Sequence, residues 1–232
     1  MRAVTGCIVL LVALAACGDD PTEPAAMPAQ VMDQVAEAIG STDSLQFQIS
    51  VEGPGVELEE GVALEQLTGV YAAPDSASTE ARVGVLGLNA SIDIVTIGDR
   101  AWQKAPLETE YTELGPGQAP FSASELFAPD GIPAILRDGI GGVARAAEPA
   151  PALEAFPGEA YDVITGTIVG TRIDELTSGL VRSEGAAVTV FVNDGEARRI
   201  VIAEAGEGRN VWTIDAWAYG EPVSVTPPPG FE

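Results

Sequence analysis

Apolar residues take every odd position from Leu45 to Val51 (Leu45, Phe47, Ile49, Val51) and polar residues the even ones between them. That alternation predicts a strand with one wet face. Just upstream, Val31, Met32, Val35 and Ile39 recur at helical spacing around Asp33, Gln34 and Glu37, with Gly40 as a stop. A short amphipathic helix is predicted there. After the Gly53-Pro54-Gly55 turn, strand-like segments follow over 62–71, 78–86, 88–97 and 100–104, separated by Pro74-Asp75, Gly87 and Gly98-Asp99. Connections this short predict a meander of antiparallel neighbours.

The middle of the chain changes period. Ser122-Ala123-Ser124-Glu125 has the form of a capping box and predicts a short helix through Phe127. After Pro129-Asp130-Gly131, the residues Ile132, Ile135, Leu136, Ile140 and Val143 line one face of a helix predicted over 132–143. Gly139, Gly141 and Gly142 would each cost such a helix about 1 kcal/mol relative to alanine. Either the helix packs closely on the sheet or it forms a pliant flap over a cavity.

Strands resume over 161–169. A helix then starts at Thr171-Arg172-Ile173-Asp174, with Ile173 and Leu176 inward and Gly179 at its end. Strands over 187–192, 198–203 and 211–219 follow, and the chain closes in a Pro227-Pro228-Pro229 tail. Asn193-Asp194-Gly195 is hairpin turn chemistry and needs no calcium. Val188, Val190 and Val192 stand opposite Phe191 across their strand, and Ile200 and Ile202 stand opposite Val201. Strands apolar on both faces must be covered on both, by helices, another protein or a ligand.

The N-terminus has a different logic. After Arg2 runs an apolar stretch to Ala16, shorter than the roughly 20 residues a bilayer span needs, and it reads as an export signal over 1–16. It ends Leu14-Ala15-Ala16-Cys17, the form of a bacterial lipobox, in which the cysteine thiol is joined to diacylglycerol. Residues 17–30 then form a proline-spaced polar tether, leaving 31–232 as one domain. Two acyl chains would hold the protein on a membrane, since each buried methylene contributes about 0.8 kcal/mol.

Composition narrows the chemistry. The chain has no histidine, and its two cysteines, Cys7 and Cys17, both lie in the first seventeen residues. Ser-His-Asp and Cys-His catalysis, His-ligated zinc and an internal disulfide framework are thereby excluded. Paired carboxylates at a meaningful spacing are absent too, so the expectation is a protein that is not an enzyme and carries no metal or cofactor. The 35 acidic residues against 11 basic ones give a formal charge of −24, which repels nucleic acid and anionic lipid surfaces.

The order of these segments resembles the LppX/LprG-type lipoproteins known from mycobacteria, which share the half-barrel architecture of the lipoprotein carrier LolA. The resemblance is carried by Pro129-Asp130-Gly131-Ile132 with Ile135-Leu136, by Ile94-Val95-Thr96-Ile97-Gly98-Asp99 followed by Trp102, and by Tyr219-Gly220-Glu221-Pro222-Val223 with Pro227-Pro228. It implies an α+β fold: a single curved antiparallel sheet wrapped around a few helices, with an apolar cavity between them for acyl chains of envelope lipids or glycolipids. The expected lining is Ile132, Ile135, Leu136, Ile140 and Val143, facing Val83, Val85, Ile92 and Ile94, with ordinary core packing as the alternative for each. Trp212 and Trp217 could stack on sugars or simply pack. The implied protein is a monomer anchored through Cys17 on the outer face of the cytoplasmic membrane, moving lipid across the envelope and meeting an envelope transporter. The competing reading is an envelope sensor or assembly module that offers the same half-barrel to a protein partner.

Overall fold

The computed structural model describes residues 26–231, apart from 60, 86, 116–117, 120, 177–183 and 207–208. The export signal and Cys17 lie outside the described residues. Helix α1 (Pro28–Ser41) precedes strands β1 (Ser44–Glu52), β2 (Val56–Glu59), β3 (Val62–Ala72), β4 (Ser76–Val85), β5 (Leu88–Ile97), β6 (Arg100–Lys104) and β7 (Thr112–Leu114). Short helices α2 (Ala123–Phe127) and α3 (Ile132–Ala134) follow, the second running into a π-helical turn (Ile135–Gly139). Strands β8 (Ile140–Arg145) and β9 (Asp162–Val169), helix α4 (Gly170–Leu176), then β10 (Gly185–Asn193), β11 (Glu196–Glu204) and β12 (Val211–Trp217) complete the chain.

All twelve strands join one open antiparallel sheet in the order β7-β6-β5-β4-β3-β1-β12-β11-β10-β9-β8, with β2 paired beside β3. Two meanders are thus sewn together where β1 meets β12, Ile49 opposite Ile214. Inward residues of both wings, among them Leu45, Leu67, Val83, Ile164, Val190 and Ile214, belong to one buried cluster with Val31, Val35 and Ile39 of α1. A sheet whose two wings pack on the same helices must curve around them, which makes the fold an α+β half-barrel.

Most predicted elements are present, with local differences. Helix α1 begins at Pro28, since proline suits the first helical position, where no backbone N–H is required. Short strands β2 and β7, of four and three residues, escape a pattern search that needs longer alternation. The Asn193 turn is a two-residue hairpin in which Asp194 and Gly195 both take positive φ, 50° and 81°, as a type I′ turn requires. The predicted end of the last helix at Gly179 lies outside the described residues.

The helix predicted over 132–143 is corrected. It ends at Gly139, and Ile140–Arg145 is an edge strand paired with β9. The misleading feature is a bulge. Between Gly141 and Ala144 β8 advances three residues against two of β9, from Thr167 to Thr165. The extra residue returns Val143 to the side of Ile140, so a strand acquires the i, i+3 apolar spacing of a helix. Gly142 carries the bulge at φ 65°. Opposite it, a side chain at Gly166 would collide with Ile140 Cγ2, so glycine is what lets the edge strand close on its neighbour.

The outward-facing Phe191 and, in part, Val201 are covered by the chain itself. Val163 and Phe191 pack with Leu153 beneath the irregular segment from Ala146 to Tyr161, and Val201 joins them at the edge. Tyr161 meets Phe191 edge-on with ring centroids 6.0 Å apart. Beside this patch Arg199 makes a two-pronged ion pair with the buried Asp215, at 2.6 and 2.7 Å. The other wing uses the C-terminal tail, whose Phe231 ring lies 6.1 Å from Trp102.

Candidate functional site

The half-barrel's distinguishing feature is its apolar interior, bounded by β1, β3, β4 and β5 on one side, β9 to β12 on the other, and α1 to α3 across the opening. Aromatic rings mark its centre. Phe127 of α2 stands 4.9 Å from Phe47 and 6.0 Å from Tyr71, both tilted, the offset geometry aromatic pairs favour. Phe127 reaches this depth because Ser122 caps α2, its Oγ accepting from Glu125 N at 3.3 Å.

The sequence-predicted lining residues are gathered here. Val83, Ile92, Ile94, Ile132 and Leu136 are 0–8% exposed and share the central cluster. Val85, Ile135, Ile140 and Val143 are half-buried against its edge. The facing strands supply their residues by register: Val83 pairs with Ala90, Ala81 with Ile92 and Thr79 with Ile94, so one face of β4 and β5 is continuous. Trp212 is buried in the same cluster and donates its indole N–H to Glu204 at 2.8 Å, while Trp217 on the outer face donates to Gln46 at 3.1 Å. Trp212 is thus packed in the core, while Trp217 is partly exposed.

Beside the interior lies a polar cleft of about 480 Å³. Its lining includes Ala134 and Ile135 with Ser124, Asp75, Glu125, Asp130, Asp138 and Arg172. Sequence reasoning missed these polar residues, which come from a hairpin turn, two helix starts and the π-helical turn and share no period. Their one local signal is the capping box that places Ser124. Its hydroxyl sits 3.3 Å from Thr96 Oγ1 and 3.0 Å from Ser122 Oγ, a buried chain of hydroxyls behind the cleft wall. Next to it the Tyr71 hydroxyl donates to Pro74 O at 3.1 Å. Burial, with Asp75 and Asp130 nearby, pushes the Tyr71 phenol above the ordinary tyrosine range and keeps it neutral.

The wall between cleft and interior is thin. It consists of the one-turn helix α3 and the π-helical turn, a geometry met mostly as single turns at functional sites. The ion pair from this wall to α1 is Arg137 to Glu37 at 3.9 Å, both exposed. Such surface pairs contribute about 0–1 kcal/mol, so apolar packing of Ile132 and Leu136 is what seats the wall. Among the described residues no group of acidic, cysteine or histidine side chains could hold a metal ion, and no helix is long and apolar enough to cross a membrane.

Comparison with known proteins agrees with this architecture. The family model described as LppX_LprAFG lipoprotein matches residues 27–225. The solved structure of LprF from Mycobacterium bovis is similar at 15% identity and TM-score 0.68, covering 87% of this chain and 96% of that one. LppX from Mycobacterium tuberculosis is similar at 18% identity and TM-score 0.61, covering 86% and 98%. No curated protein sequence matches the chain.

Proposed function

Because the chain belongs to the LppX_LprAFG lipoprotein family, we propose that it is a membrane-anchored carrier that takes acyl chains of an envelope lipid or glycolipid into the interior of its half-barrel and moves that lipid across the cell envelope. One observation supports this above others: apolar residues from both wings and four helices meet in one continuous interior beside an open polar cleft. Acyl chains require such cover. At about 0.8 kcal/mol per methylene, a long chain resists entering water by roughly 10 kcal/mol.

In this reading α3 and the π-helical turn are displaced when acyl chains enter, and Ile132, Ile135, Leu136, Ile140 and Val143 meet them opposite Val83, Val85, Ile92 and Ile94. The head group stays in the cleft near Ser124 and Arg172. Diacylglycerol on Cys17 keeps the domain at the outer face of the cytoplasmic membrane, where a monomer hands its lipid to an envelope transporter. A protein-docking role loses its sequence motive, since Phe191 and, in part, Val201 are covered by the segment from Ala146 to Tyr161.

The test is mass spectrometry of organic extracts of the purified protein. Extractable lipid is expected from the native chain and little from Val85→Trp, which fills the half-buried edge of the interior without unfolding it. Cys17→Ser should release the protein from membranes and leave extractable lipid in place. A well-folded native protein that never retains lipid refutes the carrier.

A further inference from the structure

In an antiparallel meander alternate connections emerge at the same end. The β2–β3, β4–β5 and β6–β7 connections therefore share one end of the first wing, opposite the Pro74 and Gly98 turns that border the polar cleft. Among the described residues four large hydrophobic side chains are exposed, and two of them stand at this end: Leu88 at 74% and Leu107 at full exposure. Between the strand ends lies an open groove of about 590 Å³, floored by Val62 and Ala63 and bordered by Gly55, Gly84 and Gly87.

Leu107 is held outward against local preference. Glu108 N donates to Ala105 O at 3.1 Å, closing a turn with Pro106 and Leu107 at its centre, and Leu107 has φ 68°. Proline first and positive φ second define a type II turn, where glycine or asparagine would sit without strain. Here a leucine takes the strained position and points wholly into solvent. Exposed carboxylates stand at the same end, Glu108 and Glu110 in the loop of Leu107 and Glu57 at the groove.

We propose that this end of the half-barrel docks transiently on a lipid bilayer of neutral, zwitterionic head groups, with Leu88 and Leu107 entering the interface and the carboxylates meeting the ammonium groups of the heads. The chain's charge of −24 sets the preference against anionic surfaces. The purpose assigned to docking, exchange of the carried lipid, rests on the carrier reading; the docking geometry does not.

The test uses the full chain purified from membranes and placed in phosphatidylcholine vesicles whose acyl chains are brominated near the head group. Apolar groups docked at an interface lie about 5–10 Å into the headgroup boundary, within reach of such quenchers. Fluorescence added by Leu107→Trp or Leu88→Trp should be quenched, and that added by Asp99→Trp, at the opposite end, should not. The double variant Leu88→Asp, Leu107→Asp should slow lipid transfer between vesicles by about tenfold with extractable lipid unchanged. Equal quenching at positions 107 and 99, docking that appears only with phosphatidylglycerol, or shielding of position 107 by a second copy without vesicles overturns the proposal. Position-specific quenching without extractable lipid upholds the docking end and removes the carrier; extractable lipid without such quenching does the reverse.

Discussion

Tyr219 shows how much one hydroxyl can fix. Its ring is partly accessible, but its O–H is enclosed and donates to Ala197 O at 2.8 Å, tying the chain after β12 to the start of β11. Enclosure, with Glu196 nearby, pushes its phenol well above the ordinary tyrosine range. A free tyrosine ionises near pH 10, so above that pH the unfolded chain releases a proton that the folded chain still holds. The contribution of Tyr219 is therefore complete below about pH 10 and declines above it, by about 1.4 kcal/mol per pH unit. Tyr219→Phe should lose about 1 kcal/mol at neutral pH with the hydrogen bond, and should also make the alkaline fall in stability shallower by one proton. Urea titrations between neutral and strongly alkaline pH measure both; an alkaline slope identical to that of the native chain contradicts the assignment.

Elements were legible where one period ran undisturbed. Leu45 to Val51 alternates and forms β1; Val31, Val35 and Ile39 recur helically and form α1. Legibility failed where a bulge altered the period, as in β8, whose Ile140 and Val143 imitate a helix face. Strand β3 has the same device, a bulge between Leu64 and Gln66 that puts Leu64 and Leu67 together in the core. There the length of the strand outweighed the irregularity. In β8 six residues could not, although Gly141 and Gly142 argued against a helix from the outset. The candidate site divided along the same line: the proposed lining residues on β4 and β5 follow a strand's alternation, those from Ile132 to Val143 follow a helix period that the structure breaks at Gly139, and the cleft follows none, because turns from distant parts of the chain build it. The bulge makes Gly142 a stringent position: alanine at φ 65° costs about 1–2 kcal/mol. Gly142→Ala should lower stability by that amount, whereas Gly141→Ala, with ordinary φ and nothing closer than 3.9 Å to an added methyl, should change it far less. Equal effects of the two substitutions in denaturant melts would dissociate the bulge from Gly142.

At the scale of the molecule the open question is how a chain with sequence pI near 4.1 stays folded. Among the described residues, several of its few cations are paired: Arg100 with Glu113, Lys104 with Asp93, Arg145 with Asp162, Arg198 with Glu159 and Arg199 with Asp215. What remains is a surplus of carboxylates on a curved sheet, and like charges on a compact body repel more than on an extended chain. Pairing favours the fold at low salt, but exposed pairs contribute little each, so self-repulsion should dominate the salt response. Screening shortens the reach of that repulsion from about 10 Å at 0.1 M salt to about 3 Å at 1 M. Melting temperature should therefore rise with sodium chloride. A gain of about 2 kcal/mol would appear as roughly 4–8 °C for a domain of this size. Chloride is the salt to use, because sulfate strengthens apolar burial by a separate route. If the melting temperature is flat or falls, attraction in the ion pairs outweighs the surplus charge, and acidity is then a property of the surface that the fold does not feel.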